Sequence, residues 1–543
     1  GGATRIVAAL RRPAMAMQHR SFLLARRALS LRQVVQARPQ STWTEGLHID
    51  GKQVAGLDKA TFTVEDPAHL TPIAEVATAS AADVDSAVQC AHAAFQDGRW
   101  SKLAPRTRAR ILFAAAKALR DDLAEMAVLE SRQTGRTLRE YKAQLGRVPE
   151  WIEYHAALAA SAGLEGRLPQ LVEQDHMNYV RRVPLGVCAL ITPWNHPLLI
   201  TVKKAAVALA AGNTVVVKPP LVAPLTVLRF ARILEESGLP PGVFNVVQGE
   251  GPAAGEALVS HPLVERIDFT GGTATGVRIA QVMAAASKVR PYCAELGGNA
   301  PVLVFDDCDL QQAVNGVAFA AFVASGQTCV SAKRILVHTS IYKDFVDALV
   351  AKVQRFSLGN PLDADTDMGP VVTAGQWSVV NQLTASAIQE GATVACGGGR
   401  PSQERCALPG HFFEPTILTG ANTKNTAFVE EIFGPVITVT PFATEEEAIE
   451  LANCSKYGLG AGVWTKDVRR AHMVTSRLRS GVMWVNCHHR NDPSSPWGGF
   501  GESGIGRENG PESLEEYTTA QSVTMRLNDT PEDWFGSKTA RYG

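Results

Sequence analysis

Between positions 81 and 160, apolar residues recur three and four apart with charged residues between them, a spacing that predicts amphipathic helices over 84–95 and 108–129. Beyond position 185 the pattern changes to short runs rich in valine and isoleucine. Stretches 187–191, 214–217, 243–247 and 266–269 read as strands. Stretches 200–211 and 225–237 between them read as helices, the second closed by Gly238-Leu239-Pro240. Strands alternating with helices at this spacing predict βαβ units around a parallel sheet covered on both sides. A second round follows position 295, with strands at 302–305, 334–337, 436–439 and 482–485 and helices at 310–325, 341–356 and 445–453, before a last strand at 522–527. The predicted fold class is α/β, built as two α/β units with the functional cleft between them.

Composition narrows the function more than the fold. The 543 residues are 45% hydrophobic and 20% charged, with 53 basic and 53 acidic side chains, which suits large buried cores and excludes collagen-like or disordered chains. Zero net charge argues against electrostatic capture of nucleic acid or of a membrane surface. The balance is uneven, however. Up to Thr44 there are eight arginines, no lysine and no acid, leaving 45 basic against 53 acidic residues in the remainder. An arginine-rich, acid-free segment predicts a transit peptide over 1–44 and a mitochondrial matrix address, with a plastid, or a basic tail without any address, as the alternatives. The uncharged stretch 184–202 is interrupted by Pro193, Asn195, His196 and Pro197, and 310–332 carries polar residues throughout, so neither predicts a membrane span. The nine cysteines are scattered without a CxxC pair, which suggests neither a disulfide framework nor a metal site.

Four segments carry unusual residue choices. In Thr192-Pro193-Trp194-Asn195-His196-Pro197, two prolines fix a turn after a strand, and an asparagine amide on such a turn can be aimed at a ligand oxygen; taken alone, it reads as a loop. The glycines of Phe269-Thr270-Gly271-Gly272-Thr273-Ala274-Thr275-Gly276 stand at a strand-to-helix turn, where backbone amides can approach phosphate, although the full GxGxxG pattern is missing. Ala294-Glu295-Leu296-Gly297-Gly298-Asn299 places an acid before a flexible turn. Ser325-Gly326-Gln327-Thr328-Cys329-Val330 ends an apolar helix with a cysteine among small and polar residues, a position suited to a thiol that substrate must reach.

Together these segments resemble the aldehyde dehydrogenase superfamily. The likeness runs from about Gly46 to Leu527 and includes VVVKPP, ELGGNAP, GQTC, Glu430-Glu431-Ile432-Phe433-Gly434-Pro435 and the stretch from Pro496 to Glu508. The 34 positions between Glu295 and Cys329 are also the family's usual separation. The resemblance implies a Rossmann-like cofactor domain over 45–295 with an oligomerisation hairpin at about 170–184. It further implies a catalytic α/β domain over 296–485, a return to the cofactor domain with a substrate-tunnel loop over 486–520, and an oligomerisation strand and tail over 521–543. It implies oxidation of an aldehyde to a carboxylic acid by NAD or NADP, with water rather than CoA as the acyl acceptor, in a homodimer or homotetramer without a metal.

By the same resemblance, Cys329 is the nucleophile, Asn195 an oxyanion donor and Glu295 the general base for thioester hydrolysis. Glu508 stands where relatives have a second carboxylate, either a proton relay or an acid paired with Arg507. Thr192, Pro193, Trp194, Lys218, Gly271, Gly272, Gly276, Leu296, Glu431 and Phe433 are the implied cofactor contacts. Many NAD-preferring relatives have Glu where Leu221 stands, so NAD is favoured and NADP accommodated. The implied substrate tunnel is lined by His196, Leu199, Lys203, Thr328, Val330, His489 and Asn491. Lys203 replaces a frequent aromatic. Together with Arg490 it either favours an anionic semialdehyde or reaches solvent and pairs with Asp492. A relative that keeps the fold without catalysis is the remaining alternative.

Overall fold

Val187–Ile191 and Thr214–Lys218 are buried at every position, which is why neither shows a polar alternation. They lie at the centre of an eight-stranded sheet in the computed structural model, which describes residues 43–161, 164–172, 175–529 and 535–536. Across its width the sheet runs Gly504–Ile505, Tyr292–Glu295, Val264–Thr270, Val187–Ile191, Thr214–Lys218, Phe244–Val246, Leu47–Ile49 and Lys52–Val54. Strands between Tyr292 and Val246 in this order are parallel, and their register pairs Ile191 with Lys218, Phe269 with Ile191 and Thr270 with Glu295. Lys218, Thr270, Glu295 and the turn after Ile191 therefore emerge together at one carboxyl edge, where open parallel sheets bind ligands.

The helix Pro197–Ala211 is buried along all fifteen residues. Pro197 presets the first turn, and Gly212 ends the helix in the left-handed conformation at φ 100°. It packs on its own sheet and against Val148–Ala160 and Pro105–Thr134, which explains why its lysines cannot reach bulk solvent and must find partners inside.

A second, seven-stranded sheet runs Thr393–Cys396, Thr416–Thr419, Val436–Phe442, Ala332–His338, Ala300–Val304, Gly460–Trp464 and Val482–Val485, parallel except at its first strand. The helix predicted over 310–325 ends at Phe322. Ala324, Ser325 and Gly326 then take left-handed φ values of 57°, 53° and 68°, breaking the helix just before Cys329. A Cβ on Gly326 would lie 2.2 Å from the Gly434 carbonyl oxygen, so this turn requires a glycine there.

The strand His176–Pro184 pairs antiparallel with the terminal strand Thr518–Arg526 over nine positions, from His176 opposite Arg526 to Pro184 opposite Thr518. On the other side of this strand, one bridge joins Val180 to Arg167. Among the described residues no helix is long and apolar enough to cross a membrane, and no cluster of His, Cys, Asp or Glu is arranged to hold a metal. The segment 1–42, which carries most of the expected transit peptide, lies outside the described residues.

Candidate active site

The carboxyl edge of the first sheet and the loop entering the second enclose a cavity of about 270 Å³ lined by Glu295, Cys329, Glu508 and Lys203 among others. Cys329 reaches it from the left-handed turn, which is held from several sides. Glu140 accepts from the Ala324 amide at 3.1 Å, Ser325 Oγ donates to the Gly369 carbonyl at 2.8 Å, and Gln327 Oε1 accepts from the Val372 amide at 3.0 Å. Left-handed conformations of non-glycine residues persist only where surroundings impose them. Gly298 lies so close that a Cβ would stand 2.2 Å from the Cys329 carbonyl oxygen.

Asn195 sits on the proline-bounded turn, and its Nδ2 donates to the Gln327 carbonyl at 2.9 Å, which ties the turn to the cysteine loop and leaves one amide hydrogen for a second acceptor. Arg136 and Glu140 brace both loops. The guanidinium donates to the Asn195 carbonyl at 3.3 Å and to His196 Nδ1 at 2.6 Å, and it pairs at 3.2 Å with Glu140, whose carboxylate also holds the Ala324 amide. Because arginine only donates, His196 Nδ1 is the acceptor and Nε2 carries the proton shared with Thr328 Oγ1 at 3.3 Å. Burial, followed by Arg136, keeps the His196 ring well below its usual pKa and so neutral. Arg136 and Glu140 escaped the sequence reading because Arg-Thr-Leu-Arg-Glu reads as an exposed, charged helix start.

The two carboxylates differ sharply. Both oxygens of Glu295 are buried without a hydrogen-bond partner among the described residues, and burial, reinforced by the Glu508 carboxylate, pushes its pKa well above the usual range. Burial also raises Glu508, but Lys203 and Lys204 outweigh it and bring its carboxyl down to about 2. Lys203 Nζ stands 2.8 Å from Glu508, and Lys204 bonds both Glu508 and Asp268. The Cys329 thiol is pushed up to about 12, chiefly by burial and then by Glu431 and Glu295.

Two sequence alternatives are thereby replaced. Lys203 neither reaches solvent nor pairs with Asp492; it lies on Glu508 and 4.9 Å from the Trp497 ring, and Arg147 pairs with Asp492 at 3.2 Å. Arg507 donates to the Gly499 and Gly506 carbonyls, so the paired-acid alternative for Glu508 fails on its partner, since lysines supply the charge. The remaining tunnel candidates also face the cavity: His196, Leu199, Thr328, Val330, His489 and Asn491.

The implied cofactor residues gather beside this cavity. Gly272 precedes the helix Thr273–Ala285 with no side chain capping the helix amides, and a Cβ there would meet nothing within 4 Å, so the helix start is open to phosphate. Gly271 donates to the Glu295 carbonyl at 3.0 Å, and a Cβ on Gly276 would lie 2.6 Å from Leu296 Cδ2. Among the described residues Lys218 Nζ donates only to the carbonyls of Pro219 and Gly249, at 3.1 and 3.0 Å, and burial lowers its pKa to about 8. Glu431, raised to about 7 by burial, accepts from the Gly298 amide at 2.9 Å. Phe433, at φ 50°, stands edge-on to Trp194 with centroids 5.4 Å apart, while Thr192 Oγ1 accepts from Thr201 at 3.4 Å beside Pro193. Thr270 Oγ1 and Asn195 Oδ1 are buried without partners among the described residues. An open helix start, an ammonium and a carboxylate not paired with each other, and these polar atoms fit a dinucleotide.

A family model described as aldehyde dehydrogenase matches residues 54–523. The chain is 39% identical to betaine aldehyde dehydrogenase of Bacillus subtilis, over 91% of this chain and 100% of that relative. It is 38% identical to peroxisomal aminoaldehyde dehydrogenase 2 of Pisum sativum, over 91% of this chain and 98% of the relative. Among solved structures, betaine aldehyde dehydrogenase of Staphylococcus aureus in complex with NAD+ superposes with a TM-score of 0.88 at 37% identity, covering 90% of this chain and 97% of that one. These relatives correct the mitochondrial expectation: those whose names give a compartment are chloroplastic or peroxisomal, and another is bacterial. The arginine-rich composition up to Thr44 reports a basic segment without specifying which compartment, if any, reads it.

Proposed function

The chain belongs to the aldehyde dehydrogenase family and oxidises aldehydes to carboxylic acids with NAD(P)+, and from that premise we propose how its own residues divide the reaction. Cys329 is the nucleophile. Its thiol proton passes to water in the cavity, the thiolate sulfur adds to the aldehyde carbonyl, and the resulting thiohemiacetal oxyanion is held by the second amide hydrogen of Asn195 together with the Cys329 backbone N–H, donors fixed before charge develops. A nicotinamide bound beside the cavity would supply the hydride acceptor for collapse of this oxyanion, which leaves an acyl thioester on Cys329. Glu295 then takes a proton from the water that attacks the thioester; its carboxylate is unpartnered and faces the same cavity as the sulfur. Glu508 does not relay protons in this scheme, because two lysines hold it ionised. It acts on Glu295 through its charge.

For the cofactor, we infer that the amides at the start of Thr273–Ala285 hold the pyrophosphate and that Lys218 and Glu431 bond the two riboses, with Leu221 leaving room for a 2′-phosphate. Assembly as a homodimer or homotetramer is supported by the edge strand Val482–Val485 and by Thr518–Arg526, whose outer edge pairs with no other strand among the described residues.

The observation that carries the reading is the meeting of Cys329, Glu295 and the Asn195 turn at one cavity. The test is NAD(P)H formation at 340 nm with a panel of aldehydes. Cys329→Ala is expected to lower turnover by on the order of 10⁴-fold or more while leaving the melting temperature in place, and undiminished turnover would refute the assignment.

A further inference from the structure

Four cations line the cavity, and three are engaged by the fold. Arg136 is paired with Glu140, Lys203 with Glu508, and Arg147 with Glu150 at 2.9 Å and Asp492 at 3.2 Å. The fourth, Arg490, is exposed at the opening, and its guanidinium joins no hydrogen bond, ion pair or ring contact among the described residues. Its backbone, in contrast, is fixed. Trp484 Nε1 donates to the Arg490 carbonyl at 2.9 Å and Arg147 donates to the next carbonyl, of Asn491, at 2.7 Å. His489, left-handed at φ 56°, is bonded through Nε2 to the Ala320 carbonyl at 3.0 Å. A free side chain on a pinned loop keeps its reach without the ordering cost of the loop itself.

The aromatic faces point the same way. Trp497 already carries Lys203 at 4.9 Å and Trp151 carries Arg147 at 6.0 Å, so a cationic substrate meets positive charge on both tryptophans of the lining and is left with Phe319, the weaker cation–π partner. Resting on the activity proposed above, we propose that Arg490 is a specificity-determining residue that binds a carboxylate at the end of the substrate remote from the carbonyl, so that the preferred substrate is a short aldehyde acid. The guanidinium fork matches a carboxylate through two parallel hydrogen bonds.

The experiment compares kcat/KM of the full chain with NAD+ for 4-oxobutanoate, butanal and betaine aldehyde, which are anionic, neutral and cationic. The anion is expected to be favoured over butanal by ~10- to 100-fold, the worth of one charge-assisted contact, and betaine aldehyde to be the poorest. In Arg490→Gln the preference for the anion collapses through KM, Arg490→Lys restores part of it, and added salt weakens it in the wild-type chain because the group is exposed. Equal or better use of butanal by the wild-type chain, or an unchanged preference in Arg490→Gln, overturns this inference and leaves the activity standing. Oxidation of none of the three overturns both.

Discussion

The floor and the opening of one cavity hold the same kinds of charge in opposite states. At the floor, Glu508 and Lys203 line the cavity and Lys204 and Asp268 lie behind them, all four almost wholly buried and joined by ion pairs, and the Tyr517 hydroxyl donates to Asp268 at 2.5 Å. Arg266 lies 4.4 Å over the Tyr517 ring and 3.1 Å from Glu516. At the opening, the Arg490 guanidinium has no partner among the described residues. Ionic groups taken out of water must satisfy one another, so the floor's charges are bound to the fold and set the electrostatics of Glu295. A group left in water can remain unpaired at little cost, so it is available to whatever enters. The chemistry is controlled below and the choice of substrate above.

The comparison breaks most visibly in stability. Lys204→Met leaves the Asp268 and Glu508 carboxylates buried without their shared cation and is expected to lower the unfolding free energy by ~3–5 kcal/mol in urea titrations, whereas Arg490→Gln should change it by no more than about 0.5 kcal/mol. Comparable losses for the two would erase the distinction.

A smaller effect sharpens it. Glu295 acts as a base only when ionised, so hydrolysis of the acyl enzyme rises with pH through its elevated pKa. Lys203→Met removes a cation that favours the ionised form and is expected to move that rise to higher pH, while Glu508→Gln removes a like charge and moves it lower. Single-turnover decay of the acyl enzyme across pH measures both. Shifts of the same sign would show that Glu508 and Lys203 act on Glu295 by some means other than charge.

Much of this was legible in the residues themselves. The apolar runs at Val187–Ile191 and Val215–Val217 announced buried parallel strands, and the glycine, proline and cysteine choices around Asn195, Gly272 and Cys329 marked turns that the structure also has. Pairing was not legible. Lys203 and Lys204 occupy adjacent positions, yet both meet Glu508 more than 300 positions away, and no periodicity reports such a contact. The same limit hid Arg136 and Glu140, whose charged surroundings suggest a solvated surface although tertiary packing buries them between two loops.

The central claim is that Cys329 carries the acyl group and Glu295 releases it. Glu295→Gln mixed with NAD+ and aldehyde, followed at 340 nm and by intact mass, tests it most directly. The account predicts a burst of one NADH per subunit, an acyl adduct mapping to Cys329, and steady-state turnover lowered by ~10²- to 10⁴-fold. Wild-type steady-state turnover, or an adduct that maps to another cysteine, would contradict it.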